Sequence, residues 1–210
     1  MPAALRGRAG AFVLDVGCGR GDSVDAFRAA DPSVRWVGID LADSVEAAER
    51  TRSDIEFVVF DGEHVPFGDA TVDVVFCKRV LEHVERLEPL LAEMARVVRP
   101  GGALVGSTSQ PEPYHGRSTG NHTPYGVKRA LERHGFGVDA LVPGIDGVTL
   151  MASVLLRAPG PFARWWRRRS PLNAFVDGLG RVLGWDAEDR NAVKLLFCGQ
   201  FAFLARRAQP

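Results

Sequence analysis

The stretch Val13-Leu14-Asp15-Val16-Gly17-Cys18-Gly19-Arg20-Gly21-Asp22 decides how the rest of the chain is read. An apolar run carrying one acid, three glycines at alternate positions, and then helical spacing at Val24 and Phe27 describe a strand, a tight turn and a helix. Glycines allow such a turn to bring backbone N–H groups against a ligand with no Cβ in the way. The spacing G-x-G-x-G differs from the G-x-G-x-x-G of dinucleotide sites and the G-x-x-x-x-G-K-[ST] of phosphate loops. The turn therefore reads as a cofactor loop whose favoured ligand is not a phosphate.

Working outward, a helix over residues 22–30 is broken by Asp31-Pro32, and residues 34–40 form a second strand that ends in Asp40. A carboxylate at that place in a nucleotide-binding α/β fold accepts from ribose hydroxyls; the alternative is an ordinary capping or loop aspartate. Residues 55–61 and 72–77 read as two further strands, the second fully apolar apart from Asp73. Apolar positions Leu87, Leu90, Leu91, Met94, Val97 and Val98 make one helical face that stops at Pro100-Gly101-Gly102, and residues 103–108 return as a strand. Thr123-Pro124 caps a helix that ends before Gly135, residues 137–142 are a sixth strand, and residues 148–156 a helix.

A chain of 210 residues with 46% hydrophobic content can bury a full core, which suits a single α/β domain over residues 1–210. Its 26 basic and 26 acidic residues cancel, so no overall field favours nucleic acid or a membrane surface, and any charge effect must be local. Cys18, Cys77 and Cys198 are far apart and show no C-x-x-C pairing, which argues against a zinc site or a disulfide framework and fits a reducing cytoplasm. With no apolar run of membrane-spanning length and no signal-peptide core, the expectation is a soluble cytoplasmic protein without a transmembrane segment.

Four segments together carry a resemblance: the glycine loop, Asp61-Gly62-Glu63-His64-Val65-Pro66-Phe67, Leu81-Glu82-His83-Val84, and Arg96-Val97-Val98-Arg99-Pro100-Gly101-Gly102-Ala103-Leu104. Over roughly residues 11–110 the chain resembles class I S-adenosylmethionine-dependent methyltransferases of the type 11 kind. The resemblance implies a Rossmann-like α/β fold: a seven-stranded sheet, parallel with the last strand antiparallel at its edge, and helices on both faces. It implies S-adenosylmethionine as cofactor, held by Asp15, Gly17, Gly19, Gly21, Asp40, Leu41, Asp61, Gly62 and Glu63, with Asp61 toward the adenine amine. Only about ten residues precede the first strand, where the family usually carries a helical extension. The helical insertion at about residues 159–190 is the expected replacement, as a lid or a homodimer surface, and its spacing at Leu172, Phe175, Val176, Leu179, Val182 and Leu183 makes one helix amphipathic. Residues 194–204 are read as the last strand.

The acceptor is a separate question. Cys77-Lys78-Arg79 lacks the Asn/Asp-Pro-Pro-aromatic pattern of many enzymes that methylate base or amide nitrogens, which moves weight toward small molecules, lipids or saccharides and away from nucleic acid. The loop of residues 110–122 offers Glu112, Tyr114, His115, Arg117, Asn121 and His122, a mixture suited to a hydroxyl-rich substrate. This loop and residues 143–147 are similar to those of actinobacterial enzymes that O-methylate sugars, such as the methylmannose polysaccharide O-methyltransferases. A hydroxyl acceptor needs a base, and the candidates are His83, with Glu82 beside it, then His115, then Asp146; the alternatives are packing for His83 and helix capping for Asp146. A magnesium ion on Glu82, His115 and Asp146 is a further way to acidify a hydroxyl. Arg164-Trp165-Trp166-Arg167-Arg168-Arg169 fits phosphate, an anionic lipid surface or nucleic acid, and equally a solvated basic face.

Overall fold

The computed structural model describes residues 5, 9–111, 118–157, 159–166 and 168–209. The chain alternates β1 (Phe12–Val16), α1 (Ser23–Ala30), β2 (Arg35–Asp40), α2 (Val45–Ala48), β3 (Glu56–Val59) and β4 (Val72–Lys78). It continues with α3 (Leu87–Val97), β5 (Val98–Ser109), α4 (Pro124–Arg133), β6 (Phe136–Pro143) and α5 (Gly147–Leu155). The helices α6 (Pro159–Phe162), α7 (Pro171–Val182) and α8 (Ala187–Leu196) then precede β7 (Gln200–Arg207).

All seven strands form one sheet in the order β3-β2-β1-β4-β5-β7-β6. The pairs from β3 through β5 are parallel, and β7 runs antiparallel to both its neighbours. The register aligns Ile39, Val16, Cys77, Gly106, Phe203 and Leu141 across six strands. The carboxyl ends of β1, β2, β4, β5 and β6 therefore share one edge. Strand order reverses between β1 and β4, and open α/β sheets bind ligands in the crevice that such a reversal opens.

Parity along the strands sorts the core onto two faces. Val13, Val74 and Phe76 pack with Val24 and Phe27 of α1 on one side. Leu14, Val16, Val75, Cys77 and Leu104 pack with Leu90, Leu91 and Met94 of α3 and Val127 and Leu131 of α4 on the other. Cover on both faces is why the central strands read as continuous apolar runs.

Two expectations are corrected. The last strand starts at Gln200, because Asp186 and Asp189 form a reciprocal capping box that launches α8 and carries the helix through Leu196. That strand also does not lie at the edge: β7 is inserted between β5 and β6, with Phe201, Phe203 and Ala205 all buried, so β6 is the edge strand.

Gly106 sits where β4, β5 and β7 meet, and a Cβ there would lie 2.4 Å from both the Cys77 carbonyl oxygen and Phe203 Cζ. Overpacking of this kind predicts that Gly106→Val destabilises the fold by about 3 kcal/mol. Urea denaturation checks this; wild-type stability would contradict the register.

Candidate functional site

The glycine turn closes the crevice at the strand reversal. Gly17, Gly19 and Gly21 all take left-handed φ values, +67°, +53° and +84°. Gly17 also has no room for a side chain, since a Cβ would lie 2.3 Å from Val80 Cγ2. The Gly17 and Cys18 amides donate to the Ile39 carbonyl at 2.9 and 3.1 Å, tying the turn to the end of β2. Val80 reaches Gly17 because Arg79 takes φ +57°, a left-handed bend that is unusual for a residue with a side chain. The bend leads into a 3-10 turn over Leu81–His83.

Asp15 is buried beneath the turn and accepts from the Ser23 hydroxyl, which in turn accepts from Trp36 Nε1 at 3.0 Å. Burial pushes the Asp15 carboxyl up to about 7; the Ser23 hydrogen bond pulls it back and the charge of Asp40 raises it further. A dry carboxylate in a ligand crevice is a natural counter-charge for a cation.

Asp40 is buried at the end of β2. Its Oδ1 accepts from the Leu41 amide at 2.9 Å, and its Oδ2 accepts from the Gly19 amide at 2.8 Å and from Arg50 Nη2 at 3.1 Å. Arg50 also donates from Nε to the Gly19 carbonyl at 2.7 Å and stacks over Phe57 at 4.4 Å. The carboxylate expected to hold ribose is thus held by the glycine turn and an arginine that sequence reasoning did not single out. At the end of β3, Asp61 is exposed and accepts from the Glu63 and His64 amides at 2.8 and 2.7 Å, with His64 Nδ1 at 2.7 Å from its other oxygen. These contacts hold its carboxyl well below the usual range and raise His64. Gly62 takes φ +91° against Leu41, and Glu63 pairs with Arg86, so the expected cofactor residues of β2 and β3 do converge at one edge.

On the other side of the crevice Glu82 is fully buried. Its Oε2 accepts from Thr108 Oγ1 at 2.9 Å, while Oε1 makes no hydrogen bond and lies 3.7 Å from Arg79 Nε. Its backbone carbonyl accepts from the amides of Thr119 and Gly120, and His122 Nε2 lies 2.9 Å from the Leu81 carbonyl. His122 thereby fastens its loop to the 3-10 turn. His83 is half-buried on that turn and Asn121 is exposed nearby. Glu112, Tyr114, His115 and Arg117 lie outside the described residues.

Asp146 stands apart, beyond the end of β6 and paired across to Cys198. It is fully buried and caps two helices, accepting from the Thr149 amide at 2.7 Å, Thr149 Oγ1 at 2.9 Å and the Leu172 amide at 3.2 Å. Fully buried, with three donors converging on its two oxygens, it acts as a helix cap. Of the residues expected to hold a metal, Glu82 and Asp146 are buried, Asp146 is engaged in helix capping, and His115 lies outside the described residues; among the described residues no three His, Cys, Asp or Glu side chains converge as metal ligands. Burial raises all three thiols, Cys18 to about 12 and Cys198 to about 11, so they are inert core groups.

Residues 14–106 match the family model described as a methyltransferase domain. An uncharacterised methyltransferase of Mycolicibacterium gilvum is 39% identical over 126 residues, which is 58% of this chain and 49% of that one. The chain spans about half or less of the length of the first curated relatives it matches. Geranyl diphosphate C-methyltransferase from Streptomyces coelicolor A3(2) superimposes with a TM-score of 0.62 at 19% identity, covering 98% of this chain and 76% of that one. The [4+2]-cyclase SpnF has the same score and identity over 96% and 76%. That a cyclase shares the architecture makes these likenesses statements about fold alone. No described helix is long and apolar enough to cross a membrane.

The raised Asp15 predicts a pH signature. Since its folded value near 7 exceeds the usual carboxylate value of 3.8, its favourable contribution is complete below about pH 4 and is lost as pH rises through 7. Asp15→Asn should match wild type at pH 4 and exceed it by up to about 4 kcal/mol at pH 8 without ligand, as read by denaturant titration. A difference independent of pH would contradict the assignment.

Proposed function

We propose, from the premise that residues 14–106 carry a methyltransferase domain, that this chain transfers a methyl group from S-adenosylmethionine to an acceptor. One observation carries the reading: a turn of three left-handed glycines lies over a buried carboxylate at the reversal of strand order. The residues fit the cofactor's chemistry. The cofactor is cationic at its sulfonium and ammonium, and Asp15 gives the crevice a carboxylate whose ionisation a nearby cation would favour. The glycine turn admits the ligand to the backbone, Asp40 and Leu41 border the ribose, and Asp61, Gly62 and Glu63 border the base. When bound, the cofactor supplies a methyl carbon already activated for in-line displacement, so the protein's task is alignment and proton removal.

Arg50 and the Gly19 amide occupy Asp40 Oδ2, so a ribose hydroxyl meets Asp40 at Oδ1 or displaces the Arg50 guanidinium from Oδ2. Arg50→Ala leaves Asp40 with one donor fewer.

The acceptor group is a hydroxyl in this reading, on a small molecule whose favoured class is a sugar or oligosaccharide, including mannosides of polysaccharide biosynthesis. It is supported by the polar loop of residues 110–122, whose described part includes exposed Asn121 at the crevice side. His83 takes the proton: it is a half-buried histidine on the 3-10 turn that follows β4, beside the buried Glu82. A lipid acceptor is the second reading, favoured by the large apolar side chains that α5 and α7 turn outward.

The experiment is transfer of labelled methyl from S-adenosylmethionine into panels of oligosaccharides, hydroxylated small molecules and lipids. Incorporation is expected in one panel, and with that acceptor His83→Ala should lower turnover by about 10² to 10⁴ while cofactor affinity is kept. Unchanged turnover removes His83 as base, and absence of both transfer and cofactor binding removes the enzyme reading.

A further inference from the structure

The spacing of Leu172, Phe175, Val176, Leu179, Val182 and Leu183 predicts a helix with its apolar stripe buried, yet α7 buries Asn173 and Asp177 and leaves Phe175, Leu179, Val182 and Leu183 exposed. Asn173 and Asp177, one turn apart, line a cleft of about 370 Å³ at the carboxyl end of β6. That volume falls within the range of roughly 300–1,000 Å³ typical of small-molecule sites. Asn191 and Lys194 of α8 and Trp165, Arg168 and Arg169 from the segment ahead of α7 complete its lining. The walls are fixed by hydrogen bonds to the strand end. Asn173 Nδ2 donates to the Gly144 carbonyl at 2.8 Å and Asn191 Nδ2 to the Leu141 carbonyl at 3.0 Å. Ser170 Oγ accepts from the Asp146 amide at 3.1 Å, which holds the arginine segment against the same end of the sheet. In the sheet order β6 lies three strands from β4, about 14 Å at the usual strand spacing, so this cleft stands apart from the glycine-turn crevice.

The charges of the lining indicate its ligand. Arg168, Arg169 and Lys194 stand against the one carboxylate of Asp177, an excess of two positive charges in a chain that is neutral overall. Asp177 is buried and pairs with Lys194 at 3.0 Å and Arg169 at 3.2 Å, with Arg190 at 3.8 Å behind them. Burial would raise its carboxyl, but the Lys194 hydrogen bond and the charges of Lys194 and Arg169 hold it below its ordinary value, so the field in the cleft is positive. These cations keep donors to spare: an ammonium has three and a guanidinium five. Arg168 is exposed, and among the described residues no carboxylate pairs with it. A phosphate monoester carries close to two negative charges at neutral pH, and its oxygens match the planar fork of arginine. Beside the cations, Trp165 is half-buried with Arg164 stacked at 4.4 Å from its ring centre, and with Val142 and Pro143 it gives the cleft an apolar side.

We propose that this cleft binds a phosphate monoester, a small molecule that carries a dianionic phosphate on a ring-bearing body. The phosphate lies among Arg168, Arg169 and Lys194, and the body lies against Trp165. Binding is independent of the methyltransferase reading and is measured without cofactor.

The test is calorimetric titration of the full chain at pH 7.5 with phenyl phosphate and inorganic phosphate. Both are expected to bind, phenyl phosphate the more tightly, and Trp165→Leu should remove that preference. Dimethyl phosphate, a singly charged diester with the linkage of phospholipid headgroups, should bind about tenfold or more weakly than inorganic phosphate, as should acetate. Arg168→Gln should weaken phenyl phosphate about tenfold, the loss of a charge-assisted contact. Arg129→Ala, an exposed arginine on α4, should leave binding unchanged. Thermal melts of each variant establish that it is folded. Absence of binding, equal affinity for the diester or acetate, or full affinity in Arg168→Gln overturns the proposal. Phenyl phosphate that binds no more tightly than inorganic phosphate overturns the contact with Trp165.

Discussion

The cofactor half of this protein depends on one unfavourable placement, a carboxylate buried under the glycine turn. Asp15 cannot leave the core, because it sits in β1 between Gly38 and Phe76 of the adjoining strands. Its neighbours are arranged around it: Ser23 at the head of α1 donates to it, and Trp36 Nε1 donates to Ser23. Burial outweighs the Ser23 hydrogen bond, and so the carboxyl is pushed up to about 7. Natural folds retain such placements where a ligand completes them. The turn above it is bound to the same logic, since its glycines leave the crevice open while Val80 packs against Gly17 and the Gly19 amide donates to Asp40.

The C-terminal half follows a different pattern of contacts. Its buried polar groups are employed as fasteners: Asp146 ties α5 to α7, Asn191 Nδ2 donates to the Leu141 carbonyl at 3.0 Å, and Asp177 gathers the cations of α8 and the arginine segment. Polar fastening on the inside leaves the apolar residues of α5 and α7 outside. The two halves meet across Thr108 and Glu82, where one buried carboxylate oxygen accepts a hydrogen bond and the other accepts none. That orphaned oxygen lies at the carboxyl end of the sheet, next to the turn that carries His83.

Much of the cofactor half was legible in the sequence because backbone requirements write themselves into residue type. Three left-handed turns required three glycines, and the apolar strand runs announced a sheet covered on both faces. Side-chain partnerships were less legible. Asp40 stands out at the end of its strand, but its pairing with Arg50 joins residues ten apart around α2, and no local spacing reveals that. Periodicity gave α7 its helical character and not its orientation, because which face is buried depends on partners such as Lys194 and Gly144 that arrive from elsewhere in the chain. Asp146 carried a cap signature before Gly147 that competed with a catalytic reading, and the Thr149 and Leu172 amides resolve it as a cap. The strand at the end was misplaced for the same reason: a capping box at Asp186 outweighed the β-forming residues that follow.

The central claim, that the glycine turn and Asp15 receive a cationic cofactor, is tested most directly by calorimetric titration of S-adenosylmethionine at pH 7 in two buffers of different ionisation enthalpy. With the carboxyl near half-protonated before binding, a cation placed beside it should release up to about half a proton per ligand, and Asp15→Asn should abolish that release. Binding with no proton exchange, or no binding at all, would contradict the account.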